Sequence, residues 1–514
     1  MSSVGVYACV VSLAAGVALG CTKPASNPPG QTGTASDPNL LRIGVATPSN
    51  NAVTQLVNNL TADSYVGIGW NGRLAERVVT SWAWQPGMSG VTVSLRPKLQ
   101  FHDGTPVDLQ IFREALLATL KAKQPAGTNV SFKSVTSVDL VLKEDGTYAD
   151  DQLLIKLSRP EAFFLDDLAN QSLRKPKSDQ IGTGPFRLES SEGNVRLAAF
   201  KEYYRGAPKI SALEIHRFAE PRAAWTALMR DEIDAVHEMM ENTIAPGQKA
   251  LRAYSFVRPY YYQLLFNVRH PILKNAGVRQ ALSYGIDRQA VVEHALGGQG
   301  TVAEGPIWPY HWAYSTAQKV YTHNSEAATL RLDSAGLKVK KAPQPGQMPS
   351  RLRIRCLIVA NNAQFEKLAL ILQKQLYEIG VDLQIEPEPG ETFLGRLNTG
   401  NFDTVLVTRT SGRSLAWTYL SFFSSESPGG YSAADKVLDT LRRTTAEPTI
   451  RAAVSDLQQI LHDDPPAIFI AWPKVARVVS AKFEVPEEDN ADRASGRDVL
   501  SSLWQWKPTG APTR

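Results

Sequence analysis

The stretch LRIRCLIVANNAQFEKLALILQKQLYEIGVDLQI, residues 352–385, contains a strand pattern, a helix pattern and a second strand pattern in succession. Apolar side chains alternate through 352–359, which predicts a strand with a buried face. A helical stripe follows over 363–379, and Gly380 is suited to end that helix because glycine readily adopts a positive φ. The helical stripe consists of Phe365, Leu368, Leu372, Leu376 and Ile379. The series predicts a βαβ unit, and hence an α/β fold with a partly parallel sheet.

The same alternation of elements extends outward from this unit. A short helix around 392–400 and a strand at 402–408 are predicted after it, and strands at 40–46 and 91–97 well before it. A chain of 514 residues exceeds the size of one ordinary hydrophobic core, so two or more domains are expected. We find no internal sequence repeat.

Composition excludes several classes of protein. The net charge of +5 is spread thinly, so no basic face for nucleic acid is predicted. The chain has three cysteines, Cys9, Cys21 and Cys356, which form neither a disulfide framework nor a metal-binding pair. Cys356 shares the alternating face of the strand 352–359, so we predict a buried apolar position for it rather than a reactive thiol.

The N-terminus has the pattern of an export signal. Residues 4–20 are apolar and uncharged, and Ala18-Leu19-Gly20-Cys21 resembles a lipobox, in which the cysteine is lipidated after cleavage. We therefore predict a signal peptide over 1–20, and the lipidated Cys21 with a flexible tether over 21–39. The alternative is an uncleaved membrane anchor of marginal length. Either way the folded body, starting near Leu40, is expected to work outside the cytoplasm.

The turn FHDGTPVD, residues 101–108, is a candidate active site because it brings His102 and Asp103 together. Most of its polar residues have structural explanations. Asp103-Gly104 is a tight-turn signal, and Asp108 is placed to cap the helix that follows. Only His102 is left without a structural role, and we interpret the turn as structural rather than catalytic.

Motifs for catalysis, phosphate binding or metal binding are missing from the sequence. No two histidines have i, i+4 spacing, and there is no GxSxG elbow or phosphate-binding loop. GTGPFR, residues 182–187, is interpreted as a turn into a strand. EPEPGE, residues 386–391, pairs carboxylates, but its prolines favour an exposed turn. These absences favour a binding protein without metal or cofactor, although a catalytic site assembled from distant residues stays an alternative.

Five segments in order resemble the extracytoplasmic solute-binding proteins of family 5, the peptide, opine and nickel-type receptors of ABC importers. The resemblance implies a two-lobed fold like that of the type II periplasmic binding proteins, with an additional α+β domain and a ligand cleft between the lobes. It places lobe I at 40–66, 179–266 and 480–514, the additional domain at 67–178 and lobe II at 267–479. The segments are FHDGTPVDLQIFREAL, IGTGPFRL, KEYYRGAPKISALEIHRFAEPRAAWTALMRDEIDAV, FNVRHPILKNAGVRQALSYGIDRQAVVEHALGGQGTVAEGPIWP and LYEIGVDLQIEPEPGETFLGRLNTGNFDTVLV.

The resemblance also indicates where the ligand site departs from that of peptide receptors. In those receptors an aspartate after the strand equivalent to 402–408 pairs with the amine of the peptide. Here no acidic residue lies between Asp403 and Glu426, and the segment carries Arg409 and Arg413 instead. A buried ammonium without a counter-charge costs several kcal/mol, so a free-amine dipeptide is disfavoured unless another lobe supplies the acid. The predicted ligand-binding residues are Arg409, Arg413, Trp417, Tyr419 and Asn267.

We predict that one of the two arginines binds a carboxylate, phosphate or sulfonate of the solute, and that Trp417 and Tyr419 provide flat apolar walls. The implied function is capture of a peptide-like or other small solute and its delivery to an ABC permease by a monomeric, lipid-anchored receptor. A secreted periplasmic hydrolase and a ligand-sensing receptor without transport are the alternatives. The identity of the ligand stays open.

Overall fold

The computed structural model describes residues 37–46, 51–122, 130–239, 250–340, 349–411, 413–416, 423–425, 427–486 and 498–510. The described strands are β1 Leu40–Ala46, β2 Gly67–Ile68, β3 Leu74–Ala75, β4 Val79–Trp84, β5 Gly90–Leu95, β6 Val135–Leu142, β7 Tyr148–Leu157, β8 Phe186–Ser190, β9 Val195–Ala199, β10 Ala212–Phe218, β11 Ala235–Met239, β12 Leu251–Val257, β13 Tyr260–Phe266, β14 Gly300–Val302, β15 Leu352–Val359, β16 Val381–Glu388, β17 Thr404–Thr410, β18 Ala467–Ser480, β19 Phe483–Glu484 and β20 Lys507–Pro508.

The α-helices in the described part of the chain are α1 Asn51–Thr61, α2 Leu109–Lys121, α3 Phe164–Ala169, α4 Pro221–Met229, α5 Ala276–Tyr284, α6 Arg288–Leu296, α7 Ser325–Ser334, α8 Ala363–Glu378, α9 Gly390–Thr399, α10 Asp435–Arg442 and α11 Glu447–Asp463. Short 3-10 helices occupy Pro86–Met88, Val130–Ser134 and Val499–Gln505. None of the helices described is long and apolar enough to cross a bilayer.

The predicted βαβ unit is confirmed. β15 and β16 pair in parallel from Leu352↔Val381, and α8 connects them. The helix begins after Asn362, whose side-chain oxygen accepts hydrogen bonds from two backbone N–H groups of the first turn. It ends at Glu378, and Gly380 has a φ of +80° as the chain turns into β16. Cys356 is fully buried in β15, and burial raises the pKa of its thiol to about 12.

The prediction of an exposed turn for EPEPGE is wrong over its first half. Residues Glu386 to Glu388 continue β16, which is an edge strand of the sheet. Proline is tolerated on an edge strand because an outward-facing position needs no N–H donor. The two glutamates pair with Arg396 of α9, at 2.6 Å for Glu386 and 2.8 Å for Glu388. They therefore hold the helix to the strand and do not form an open carboxylate pair.

A mixed sheet of 12 described strands runs through both halves of the molecule, in the order β16-β15-β17-β13-β18-β11-β1-β10-β9-β8, with β12 and β14 also paired to β18. One set of cores contains β1 and β8–β11, and we refer to this part as the first lobe. A second set contains β13, β15–β17 and helices α5–α11, and we refer to this part as the second lobe. β4, β5, β6 and β7 form a separate sheet with α2, the additional domain.

Two adjacent chain segments connect the lobes. β18 packs with the second lobe over 467–472 and with the first lobe at 478–479, so one strand crosses between them. The other crossing lies between β12 and β13, where the Arg258 N–H donates to the Pro473 carbonyl over 2.8 Å. Strand β13 and residues 467–472 of β18 thus pack with the second lobe. The chain passes between these two parts near 258 and 473, and the lobe boundaries of 266 and 479 that the resemblance implied stay predictions.

Each lobe contains the same arginine–aspartate clip. In the first lobe, Asp234 accepts hydrogen bonds from the backbone N–H and the guanidinium of Arg42, at 2.8–3.0 Å. In the second lobe, Asp403 accepts the equivalent bonds from Arg355, at 2.8–3.2 Å. Burial alone would raise the pKa of Asp403. The hydrogen bonds from Arg355 outweigh burial and hold the pKa below its ordinary value. The clip therefore fastens the central strand of each lobe to its neighbour.

The additional domain is tied to the first lobe through the histidine turn. His102 donates its backbone N–H to Gly182 O over 3.0 Å, and its ring Nε2 lies 3.0 Å from Gly184 O. Burial lowers the pKa of the ring. Asp108 caps α2 by accepting from Ile111 N over 2.8 Å, as predicted. His102 therefore has a structural role in joining two domains, and GTGPFR leads into β8 as predicted.

We expect Gly184→Ala to destabilise the protein by about 3 kcal/mol, because overpacking against backbone leaves no flexible group to move aside. A Cβ at this position would lie 2.5 Å from Leu60 O and 2.7 Å from Ala62 N. Gly395→Ala, in α9 with no atom within 4 Å, is the matched control and should gain up to about 1 kcal/mol from helix propensity. Urea unfolding measures both. Equal stability of the two variants would contradict the packing at Gly184.

Candidate functional site

A cleft of about 470 Å³, which we call the hinge cleft, lies where the two lobes and the additional domain meet beside the crossing segments. Its walls come from α1 and the turn after it, from residues 169–172 and 203–205, and from the C-terminal 3-10 helix. Arg258 and Arg477 of the crossing segments line the side that we call its base, and Arg413 lines the cleft from the second lobe. The hinge cleft is therefore lined by residues of both lobes and of the additional domain.

The hinge cleft carries an excess of positive charge. Its described lining includes five arginines, namely Arg77, Arg205, Arg258, Arg413 and Arg477, against two aspartates, Asp63 and Asp498. The lining His237 adds no charge at neutral pH, because burial and the neighbouring Arg477 lower its pKa to about 2. The balance favours an anionic group on the solute.

Some of this charge is neutralised within the protein. Arg477 pairs with Asp498 over 2.7 Å and lies 3.8 Å from Glu238, which also pairs with Arg258. Asp498 also accepts a hydrogen bond from Leu500 N at the start of the 3-10 helix, so both of its carboxylate oxygens already have donors. These pairs fix the base of the cleft around the crossing segments.

Arg77 and Arg205 differ from the arginines at the base. Neither guanidinium has an ion pair or hydrogen bond within the part of the chain that the structure describes. The Arg205 guanidinium lies over the Trp504 ring, 4.9 Å from its centroid. An arginine that already stacks on an aromatic face presents its edge to a carboxylate with little further loss of freedom. Arg77 and Arg205 are therefore the cations most open to a solute.

Asp63 provides a carboxylate in the same cleft. Its Oδ1 accepts from the Tyr203 hydroxyl over 3.3 Å, and its Oδ2 has no hydrogen-bond partner among the described residues. Burial raises the pKa of Asp63 to about 6, and Arg77 acts against this rise. The carboxylate is ionised at neutral pH, but its Oδ2 is buried away from solvent. Asp63 therefore adds a negative charge beside Arg77.

The residues predicted from sequence fall in different places. Arg413 lines the hinge cleft. Arg409, on β17, lies opposite Tyr261 in the neighbouring strand and is not part of the cleft lining. The Asn267 amide donates to Gly400 O and Phe402 O over 3.0 and 2.9 Å, so its donors hold the turn between α9 and β17. Trp417, Tyr419 and the predicted lipidation site Cys21 lie outside the described residues.

Sequence reasoning missed four of the cleft arginines: Arg77, Arg205, Arg258 and Arg477. Arg205 lies in KEYYRGAPK, within a segment that carries the family resemblance, so its position there was an available signal. Arg258 precedes Pro259, and Arg477 follows Pro473 in β18. Prolines inside extended segments mark places where regular pairing changes, and here both mark the crossings.

A second cavity, of about 310 Å³, separates the additional domain from the second lobe. Trp82 and Trp84 from β4 face Trp312 and Leu415 across it, and Asp166 of α3 lies at its wall. At its mouth Arg73 pairs with Glu447 over 2.5 Å and lies over the Trp312 ring at 4.6 Å. Arg413 and Leu415, two positions apart in one segment, thus line two different cavities.

No three His, Cys, Asp or Glu side chains in the described ranges lie close enough together to share a metal ion. The charged residues of the hinge cleft are arginines and aspartates already assigned above. The arrangement is suited to binding an anionic or zwitterionic organic solute through hydrogen bonds and ion pairs.

Comparison with known proteins gives a consistent result. The sequence model described as "Bacterial extracellular solute-binding proteins, family 5 Middle" matches residues 73–431. The dipeptide-binding protein of Escherichia coli strain K12 is 25% identical over 352 residues, which cover 63% of this chain and 64% of that protein, just under two thirds of its length. The probable D,D-dipeptide-binding periplasmic protein of the same organism is 24% identical, over 85% of this chain and 87% of that protein.

Solved structures share the fold. The crystal structure of NikZ from Campylobacter jejuni in complex with Ni(L-His) superposes with a TM-score of 0.70 at 22% identity, covering 91% of this chain and 99% of that chain. The agreement extends over both lobes and the additional domain, since nearly the whole of that chain is matched.

Proposed function

Because the chain belongs to the bacterial extracellular solute-binding proteins of family 5, we propose that it is the substrate-binding component of an ABC importer, which captures a small solute outside the cytoplasm and delivers it to a membrane permease. The relatives are binding proteins rather than enzymes. The name of one of them places it in the periplasm, which supports an extracytoplasmic location for this chain as well.

The solute that the hinge cleft fits best is a peptide-like molecule with a free carboxylate. The observation that carries this proposal is the excess of arginine over aspartate in the cleft, where the guanidinium groups of Arg77 and Arg205 make no ion pair or hydrogen bond to the described residues. Arginine binds a carboxylate through two parallel hydrogen bonds, which gives both energy and orientation. Arg413 approaches from the second lobe, so a carboxylate held by it joins the lobes.

Binding is coupled to closure of the hinge. The two crossings near Arg258 and Pro473 are adjacent and hydrogen-bonded, so they form one axis about which the lobes rotate. A solute that contacts both lobes does so only in the closed form and shifts the population toward it by its difference in affinity for the two forms. The boundaries of the lobes at these crossings are part of this proposal.

The finer features of the function follow from the sequence. We propose that Cys21 carries a lipid, that residues 22–39 tether the body to the membrane surface, and that the receptor works as a monomer beside permease subunits. Mass spectrometry of the membrane-extracted protein tests the lipid. A mature N-terminus other than a modified Cys21 would contradict it.

Isothermal titration with three related probes tests the class of solute. We expect trialanine and N-acetyl-trialanine to bind, and trialanine amide to bind at least tenfold more weakly, because only the amide lacks the carboxylate that the arginines neutralise. An anionic opine is a further ligand with a carboxylate. Equal affinity for trialanine and trialanine amide would contradict the proposed solute class, as would failure of every carboxylate-bearing probe to bind.

The same samples distinguish a receptor from an enzyme. We expect each bound probe to raise the melting temperature and to be recovered intact by mass spectrometry, because a ligand that binds only the native state stabilises it without being consumed. Hydrolysis of the probes would identify the secreted-hydrolase alternative. Permease and ATPase genes beside this one distinguish transport from sensing.

A further inference from the structure

The segment Arg413–Ala416 connects the hinge cleft to the second cavity. It follows β17 in the second lobe, with Arg413 lining the hinge cleft and Leu415 lining the second cavity. Leu415 and Ala416 at its end are helical, but Arg413 and Ser414 belong to neither a helix nor a strand, so no regular pattern of hydrogen bonds fixes their course. What holds the backbone of Arg413 in place must therefore come from other contacts.

One of these contacts comes from the additional domain. The Ser414 hydroxyl donates to Asp166 Oδ1 over 2.6 Å and accepts from the Ala416 N–H over 3.0 Å. Ser414 is buried, so this short bond is shielded from water. Asp166 belongs to α3, and the bond thus links the additional domain directly to the turn of the segment.

A second contact with Arg413 comes from the loop that contains Gly72. A Cβ at Gly72 would lie 2.3 Å from the Arg413 carbonyl oxygen, which shows how closely the two backbones pack. Gly72 also has a φ of +79°, a conformation that glycine adopts without strain. The next residue, Arg73, is held to the second lobe by Glu447 and Trp312. The loop of the additional domain is therefore fixed where it supports Arg413.

We propose that the additional domain positions Arg413 for the solute, with Asp166 acting through Ser414 as a positioning residue and the Gly72 loop supporting the same backbone. This inference rests on the proposed function, because it takes Arg413 to be a ligand-binding residue. It assigns the additional domain a part in the affinity of a site that lies outside it.

The burial of Asp166 agrees with such a role. Burial raises the pKa of its carboxyl to about 7, so keeping an aspartate at this position costs stability. Asp167 beside it is also buried, but its bonds go to Ser131 within the additional domain. Of these two neighbouring acids, Asp166 is the one that reaches the other lobe.

Hydrogen exchange and titration of the full chain test the proposal. In Asp166→Ala and Ser414→Ala we expect the amides of 413–416 to exchange about fivefold to tenfold faster, and N-acetyl-trialanine to bind weaker by a similar factor, the usual effect of losing one hydrogen bond. Asp166→Asn keeps an acceptor for the Ser414 hydroxyl and should behave like the native protein. Thr445→Ala, in the wall of the same cavity, is the matched control.

The outcomes separate positioning from stability alone. If Asp166→Ala and Ser414→Ala lower the melting temperature but leave the affinity and the exchange at 413–416 native, the proposal is overturned. It is also overturned if Asp166→Asn has the same defects as Asp166→Ala. If the native protein binds none of the acids, the proposed solute class fails, and the exchange measurement alone decides whether Asp166 holds the segment. Faster exchange confined to 413–416 supports it, and unchanged exchange overturns it.

Discussion

Arg413→Ala is expected to weaken binding of N-acetyl-trialanine about 100-fold, because a charge-assisted pair that loses one partner leaves the other charge desolvated. Arg413 is the cation that reaches the hinge cleft from the second lobe, so its loss removes the bond that spans the closed cleft. Arg413→Lys should lose less, since a lysine keeps the charge but not the two-pronged geometry. Isothermal titration at low and physiological salt measures each affinity.

Arg409→Ala is the matched control for this prediction. It removes the same chemical group four residues earlier, on a strand position outside the cleft lining. We expect its affinity to stay within about threefold of the native value, because a charge near a surface and away from the ligand is screened. Equal losses in the two variants would show that a general change in the second lobe, rather than a contact with the solute, is responsible.

Asp234→Asn is expected to lower the free energy of unfolding by about 3 kcal/mol, because it removes the charge of the buried carboxylate that binds the Arg42 guanidinium. Only 3% of the Asp234 side chain is exposed, whereas 12% of Asp403 and 41% of Arg355 are exposed in the second clip. We therefore expect a smaller loss, about 2 kcal/mol, for Asp403→Asn, where solvent screens the pair. Urea unfolding gives both values.

Asp231→Asn provides the control for the clips. Asp231 pairs with Lys482 over 2.9 Å, but 64% of its side chain is exposed, so its loss should cost less than about 0.5 kcal/mol. Hydrogen exchange then locates each effect, and we expect Asp234→Asn to loosen β1 and β11 and Asp403→Asn to loosen β15 and β17. A loss for Asp234→Asn as small as that of the control would contradict the role of the clip.

The elements that could be predicted from sequence are those whose pattern is local. The stripe of α8 and the alternation of β15 are set by which side chains face the core, and that pattern is present in the sequence itself. EPEPGE was misinterpreted because proline usually breaks strands, and only the edge position of β16 in the sheet makes it acceptable. The order of strands decides such cases, and it is a long-range property.

The site was less predictable for the same physical reason. Arg77, Arg205 and Arg477 lie far apart in the chain and meet only because the crossing segments bring three parts of the molecule together. Asn267 was predicted to bind the ligand, but its neighbours decide where its amide donates. His102, conversely, received its structural role from Gly184, which lies in another domain.

The two clips occupy equivalent places in the strand order. β1 lies between β10 and β11, and β15 between β16 and β17, all in parallel, with α4 and α9 in the corresponding connections. The order β16-β15-β17 therefore mirrors β11-β1-β10, with β13 and β18 between them. Each clip therefore joins the central strand of its lobe to the neighbour that lies nearest the strands connecting the lobes, β11 beside β18 and β17 beside β13.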